Sequence, residues 1–421
     1  MNRMQACLAA AAIAAAGSLP AVAQNLTIEN ARIIVGNGQV IEQGSIVARD
    51  GRLVSVAAGA AASSSGGPVI DARGMTVMAG FIDDHRHLVH SRGAAVATFL
   101  KGEAAKEMHA LLEAGFTTVQ SGGDDDQGIL ELKRRVANGQ IAGPRIIASG
   151  QVRTAFLPDE AAVRAAVDQV VKAGADSIAE VHFPDVVWPY QPTVQESRNL
   201  AAGIAEARKD GVEFQVHAVS DLALVGAVRL GARRLVHSVN VNWVTDEQAR
   251  EVAAMGAMVA SSTGFGTPVF NVFNHDNKPT FRDGKPWPSG MIDAQGVGQE
   301  AGYMPVNLRT LYDNGVTVCF STDTVFDARA ALAHELKTLN LVFSPQDLIK
   351  IMGPNSAAFL DRQADIGTVE PGKLADLVIL GGNPLDGYWN FLTAEVVIKG
   401  GKIMIDKRGQ PGAGQPYNAG F

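Results

Sequence analysis

At 421 residues the chain is too long for one small domain and long enough for a large α/β barrel with an appendage. Hydrophobic residues at 47% and charged residues at 19% exclude a disordered or fibrous chain. A net charge of -7 without any long Lys/Arg run argues against a nucleic-acid partner, because neutralising phosphates needs a concentrated basic surface. The expected partner is a small molecule or a peptide.

The first stretch, MNRMQACLAAAAIAAAGSLPAVAQ, sets Arg3 before an Ala-rich apolar run and ends near Ala21-Val22-Ala23, a small-x-small cleavage site. Residues 1–23 therefore read as an export signal, which predicts a periplasmic or secreted protein with no membrane attachment after cleavage. The apolar run is too short to span a bilayer, and Cys7 precedes it, against lipoprotein processing. Signal removal leaves Cys319 as the single cysteine, so no intrachain disulfide forms.

Residues 24–79 hold short β-rich pieces (LTIENARIIV, GSIVARDGRLVSVA, VIDARGMTVMAG) separated by Gly, Asn-Gly and Asp-Gly turn signals. Residues 366–421 have the same texture (KLADLVILGGNPL, AEVVIKGGKIMIDKRG), so a small β-sandwich domain built from both chain ends is expected. Over residues 80–365, β-rich runs alternate with amphipathic helical patterns. Strands are predicted to begin near Phe81, Thr117, Arg145, Ser177, Glu213, Arg233, Met258 and Thr317, the number that closes a (β/α)8 TIM barrel. The Gly/Pro/aromatic stretch 264–305 between the last two is expected to be a binding loop or lid.

Histidines 85, 87, 182, 217 and 237 fall at the C-terminal ends of predicted strands, where a barrel places its active site. In the pair His85-x-His87 both rings lie on one face, since alternate strand residues point the same way, and two imidazoles can share one metal. His217 and His237 end successive strands and Asp323 ends the last. Four imidazoles and a carboxylate suit zinc or a related divalent ion. His90, His109, His275 and His334 read as ordinary loop or helix residues. The triplet Asp124 to Asp126 reads as a solvated loop, because three successive residues do not readily face one ion.

The ordered set GFIDDHRH, EFQVHA, RRLVHS and STD, with the tail IGTVEPGKLADLVILGGNPLDG, resembles the metal-dependent amidohydrolase superfamily, in its prolidase-like and imidazolonepropionase-like branch. The resemblance implies that His85, His87 and Asp323 bind one metal and that His217 and His237 bind a second. It also implies that Asp323 carries a proton from water to the leaving amine while a metal or His237 polarises the scissile carbonyl. The sequence departs from the family on the fourth strand. Relatives carry a lysine there that becomes carboxylated and bridges the metals, whereas GADSI is followed here by Ala179 and Glu180.

Strand alternation leaves two readings. With Ala179 inward, one metal is expected; with Glu180 inward, its carboxylate can lie between two cations. An outward Glu180 would be buried against helices as a costly unpaired charge, which favours Glu180 as a ligand and two Zn2+ per chain, or one if Glu180 is not a ligand. His182, on the same face, is expected to contact substrate together with Arg153 and Tyr190. The expected activity is hydrolysis of an amide-like C–N bond in a dipeptide, an N-acyl amino acid or a related amide or carbamate through a metal-activated hydroxide. The alternatives are a mononuclear cyclic-amide hydrolase or deaminase, an ester or lactone hydrolase using the same site, and a metal carrier on an inactive barrel. A homo-oligomer stays open.

Overall fold

The turn signals of the first eighty residues divide the chain into strands Leu26–Ile34, Val40–Arg49, Arg52–Ala58, Val69–Asp71 and Thr76–Ala79. In the computed structural model, which describes residues 25–89, 93–184, 191–266, 303–324 and 327–415, these join Leu377–Leu380, Ala394–Lys399 and Lys402–Asp406 in one eight-stranded sheet. The seam is antiparallel, with Leu377 opposite Ala79 and Ile379 opposite Val77. A two-sheet sandwich was the expectation; the hydrogen bonding instead runs through a single sheet. Leu26, Ile28, Ile46, Leu53, Leu377, Ile379 and Val396 form its core. Because successive side chains alternate, Val378, Leu380 and Val397 point the other way, into the main core with Met108, Leu111 and Leu112 of helix Ala104–Ala114. Arg145 ties the two regions together, its Nη1 donating to Asp376 Oδ2 at 2.5 Å and Thr118 Oγ1 at 3.1 Å.

The α/β class expected for the central region is what the structure shows. Its parallel strands are β1 (Phe81–Arg86), β2 (Phe116–Ser121), β3 (Arg145–Ile147), β4 (Ser177–His182), β5 (Glu213–His217), β6 (Arg234–Val236), β7 (Met258–Ala260) and β8 (Thr317–Cys319). All eight begin within one residue of the predicted positions. After a break at Ala148, β3 continues as Ser149–Gln151, which pairs with β4. The strands thus form a three-stranded sheet, β1-β2-β3, and a six-stranded sheet from the β3 continuation through β8. Two backbone hydrogen bonds join β1 to the segment that follows β8, Asp84 N to Phe320 O at 2.9 Å and Asp323 N to His85 O at 2.8 Å.

Ile178, Val181, Phe214, Val216, Leu235, Val259 and Val318 pack outward against the helices in the main core. The inner face is polar midway along, where Gln120 Nε2 donates to Ser149 Oγ at 3.3 Å and Ser177 Oγ at 2.6 Å. Ile82, Ile147, Val236, Ala260 and Cys319 meet Phe359 and Leu360 in a separate apolar cluster. The covering helices start where the sequence supplies caps. Asp125 caps Asp126–Ala137, Asp159 caps Glu160–Lys172, and the Thr193/Glu196 and Thr245/Gln248 boxes open Val194–Lys209 and Asp246–Ala254. Among the described residues no helix is long and apolar enough to cross a membrane. The predicted signal lies outside them.

Candidate metal centre

An extra residue in β1 places the first two imidazoles. Asp83 pairs with Val119 and Arg86 with Ser121, so three steps on β1 match two on β2. His85 and His87 then face inward, while Arg86 is held by Thr322 and Thr324 at 3.1 and 2.9 Å. His85 is fully buried, its Nδ1 3.3 Å from Gln215 Oε1 and its Nε2 3.4 Å from Asp323 Oδ1. His87 places Nε2 3.3 Å from the same Asp323 oxygen and Nδ1 3.2 Å from Asp124 Oδ1.

The same device settles the choice on β4. Ile178 pairs with Phe214 and Val181 with Val216, so Ala179 and Glu180 together stand opposite a single residue step of β5. The extra residue lets Ile178 and Val181 both pack outward and sends both Glu180 and His182 to the inner side. Glu180 adopts φ 59°, the left-handed region, as do His237 at 69° and Asp323 at 47°. Gly122 and Gly123, directly after β2, make room: a Cβ on Gly122 would stand 2.8 Å from His85 Nε2, and one on Gly123 2.5 Å from Glu180 Cβ.

Glu180 Oε1 lies 3.7 Å from His182 Nε2 and 4.0 Å from Arg153 Nη2, and Oε2 lies 3.7 Å from His217 Nε2. His217 Nδ1 and His237 Nε2 are 2.9 Å apart, and His237 Nε2 is 3.4 Å from Asp323 Oδ2. The structure therefore gathers His85, His87, Glu180, His182, His217, His237 and Asp323 in one place, with Arg153 at its edge. Tyr190, Trp188, His90 and His275 lie outside the described residues, as does most of the 264–305 stretch. His109 sits exposed on helix Ala104–Ala114, and His334 lies in helix Ala328–Leu339. Trp243 packs edge-on against Tyr303, with ring centroids 4.4 Å apart.

The acidic triplet departs from its reading as a solvated loop. Asp124 is 3% exposed and accepts from His87 Nδ1 and, at 2.9 Å, from Leu88 N. Asp125 caps a helix, and Asp126 accepts from Gln151 N at 3.0 Å. The Gly-Gly pair ahead of the triplet, directly after the β2 run, was the available signal of close backbone approach.

Burial lowers the His217 imidazole well below its usual range, helped by the neighbouring rings, and takes His237 down to about 4. Burial alone would also lower His87, but the bonds to Asp124 and Asp323 outweigh it and carry the ring up to about 10. For Asp323 burial works upward and loses to the imidazoles of His237, His85 and His87, which hold the carboxyl well below its usual range. Buried His85 Nε2, Glu180 Oε2 and His217 Nε2 have no hydrogen-bond partner among the described residues. Lone pairs converging on one space without donors to meet them fit a divalent cation, and the imidazole and carboxylate donors match that chemistry. Donor atoms of His85, His87 and Glu180 lie within 4.8 Å of one another, and so do those of Glu180, His182 and His217.

The amidohydrolase family profile matches residues 94–405, and the chain belongs to that metal-dependent family. It is an enzyme, a hydrolase acting on C–N bonds, of the prolidase-like and imidazolonepropionase-like branch. The chain is similar to the imidazolonepropionase of Alkaliphilus metalliredigens (strain QYMF), 23% identical over 425 residues that cover 87% of this chain and 92% of the relative. A solved structure of a Xaa-Pro dipeptidase with methionine bound in its active site matches with a TM-score of 0.73 at 22% identity, covering 90% of this chain and 99% of that one. A Bifidobacterium longum chain, proposed to be a prolidase, matches at 0.74 and 25%, covering 91% of this chain and 96% of its own.

Proposed function

We propose that this chain is an exported zinc hydrolase that cleaves an amide-like C–N bond in a dipeptide, an N-acyl amino acid or a related amide or carbamate. One observation carries the reading: Glu180, in place of a carboxylated lysine, belongs to both donor groups, where a shared carboxylate offsets the repulsion of two cations. The parallel strands are read as one eight-stranded barrel, supported by the two backbone bonds between β1 and the segment after β8. The barrel spans residues 80–365, with 24–79 and 366–421 forming the second domain. The export signal over residues 1–23 puts the mature protein in the periplasm or outside the cell.

Zinc bound among these donors supplies Lewis acidity, which makes water nucleophilic near neutral pH and polarises a carbonyl. Asp323, ionised among three imidazoles, accepts the proton of the attacking water and returns it to the leaving nitrogen. Neutral His237 donates an N–H toward the carbonyl oxygen as negative charge gathers there. Arg153, whose side chain is 40% exposed and reaches Glu180 at 4.0 Å, suits a substrate carboxylate beside the scissile bond. A second reading, cyclic-amide hydrolysis with one metal, is favoured by the imidazolonepropionase name of the curated relatives.

The test is turnover of a panel of dipeptides, N-acyl amino acids and cyclic amides by chelator-stripped and zinc-restored protein. Expected is hydrolysis that follows zinc and falls by about 10³-fold or more in Asp323→Asn. Hydrolysis of the panel that is indifferent to zinc refutes the proposal.

A further inference from the structure

We propose that His182 is a metal ligand rather than a substrate contact, and that Glu180, His182 and His217 form the second cation site. The inference rests on the shared-carboxylate reading above and extends it to a residue that neither the family resemblance nor the comparisons supply. Its basis is the extra residue in β4, which lets Ile178 and Val181 both pack outward and so turns Glu180 and His182 together to the inner side.

Distances separate this arrangement from an ordinary polar network. Glu180 Oε1 to His182 Nε2 and Glu180 Oε2 to His217 Nε2 are both 3.7 Å, beyond the hydrogen-bond range of about 2.7–3.2 Å. Donors bound to one tetrahedral zinc at about 2.0–2.1 Å sit roughly 3.3 Å apart, so a small inward movement seats an ion among these three. His217 is 5% exposed, and its Nε2 and Glu180 Oε2 have no hydrogen-bond partner among the described residues. The other nitrogen of His217 is already engaged, at 2.9 Å, by His237 Nε2. A histidine that bonds through one ring nitrogen and offers the other to a metal is the usual ligand arrangement, the outer bond fixing tautomer and ring orientation. In this geometry His237 orients His217 and keeps its place beside Asp323, and His182 completes the donor set.

The experiment is equilibrium dialysis against zinc, with elemental analysis, on the full-length protein, His182→Ala, His182→Gln and His237→Ala. Far-UV circular dichroism and thermal unfolding on each variant identify any that fails to fold. Expected are about two ions per chain in the wild type and in His237→Ala, and about one in either folded His182 variant, with the affinity of the retained ion within about threefold of its wild-type value. A parallel Co2+ titration should saturate in two visible-absorption steps for the wild type and in one for His182→Gln. Two ions retained by the His182 variants at wild-type affinity overturn this proposal alone. One ion in the wild type overturns the shared-carboxylate reading and this proposal with it.

Discussion

Replacing Gly123 by alanine tests how the bulged strand holds its carboxylate. The new Cβ would stand 2.5 Å from Glu180 Cβ, against about 3.5–4.0 Å for carbon atoms in contact, so one backbone has to retreat by about 1 Å. Gly123 also has φ 98°. Overpacking costs about 1–3 kcal/mol and a left-handed alanine about 1–3 kcal/mol more, so Gly123→Ala should lose about 2–6 kcal/mol of stability, read as a shift in urea midpoint at constant slope. The same movement carries the Glu180 carboxylate away from both donor groups, and zinc affinity by chelator competition should fall by at least about tenfold. The double mutant Gly123→Ala/Glu180→Gly separates the two effects, because removing the Glu180 Cβ relieves the contact without restoring the ligand. Stability should be partly recovered, with a coupling of about 1–3 kcal/mol, while zinc affinity stays low. A Gly123→Ala protein with wild-type midpoint and zinc affinity, or two changes additive within about 0.5 kcal/mol, refutes the reasoning.

Asp124→Ala should weaken zinc binding by about 10- to 100-fold, since His87 loses the carboxylate that fixes its Nδ1, while Asp124→Asn, which still accepts from His87, should lose less; equal losses in a dialysis assay would count against this. In the cation-free protein His87 carries a proton up to about pH 10, so zinc binding near neutrality should release about one proton and tighten about tenfold per pH unit. Calorimetry in buffers of different ionisation heat measures that release, and a value near zero contradicts it. Glu335, on helix Ala328–Leu339, accepts from Thr263 N, Thr263 Oγ1 and Gly264 N at 2.9, 2.8 and 2.5 Å. Burial pushes its carboxyl from the usual 4.5 up to about 7. The folded state therefore holds this proton more tightly than the unfolded chain, and stability should fall by about 3 kcal/mol as pH rises through that window. Urea titrations at pH 5 and 7 should show this slope in the wild type and lose it in Glu335→Gln; an unchanged slope in the variant assigns it elsewhere.

The strands were legible because each is a short apolar run between turn signals or helical patterns, and the imidazoles were legible because they end those runs. What the sequence did not disclose is the pair of extra residues in β1 and β4. Period-two reading made Ala179 and Glu180 mutually exclusive, and argued for Glu180 only from the cost of burying it outward. The bulge decides it by letting Ile178 and Val181 both pack outward, which turns Glu180 and His182 inward against Gly123, a neighbour remote in sequence. The left-handed conformation of Glu180 was equally hidden, since a glutamate inside a strand does not announce a positive φ; His237 and Asp323, just beyond their strands, belong to residue types that adopt it more readily. Asp124 was misread because a run of acids resembles solvated surface until its partners, His87 and the backbone of Leu88, are known.

The place of Leu377–Leu380 between Thr76–Ala79 and Ala394–Lys399 has a consequence for biosynthesis. Until that late segment leaves the ribosome, Thr76–Ala79 presents a bare apolar edge, which invites pairing with other nascent chains. The eight-stranded sheet is thus completed only late in synthesis. Premature termination anywhere upstream of Leu377 yields a product that cannot shield this edge and is destined for aggregation or proteolysis.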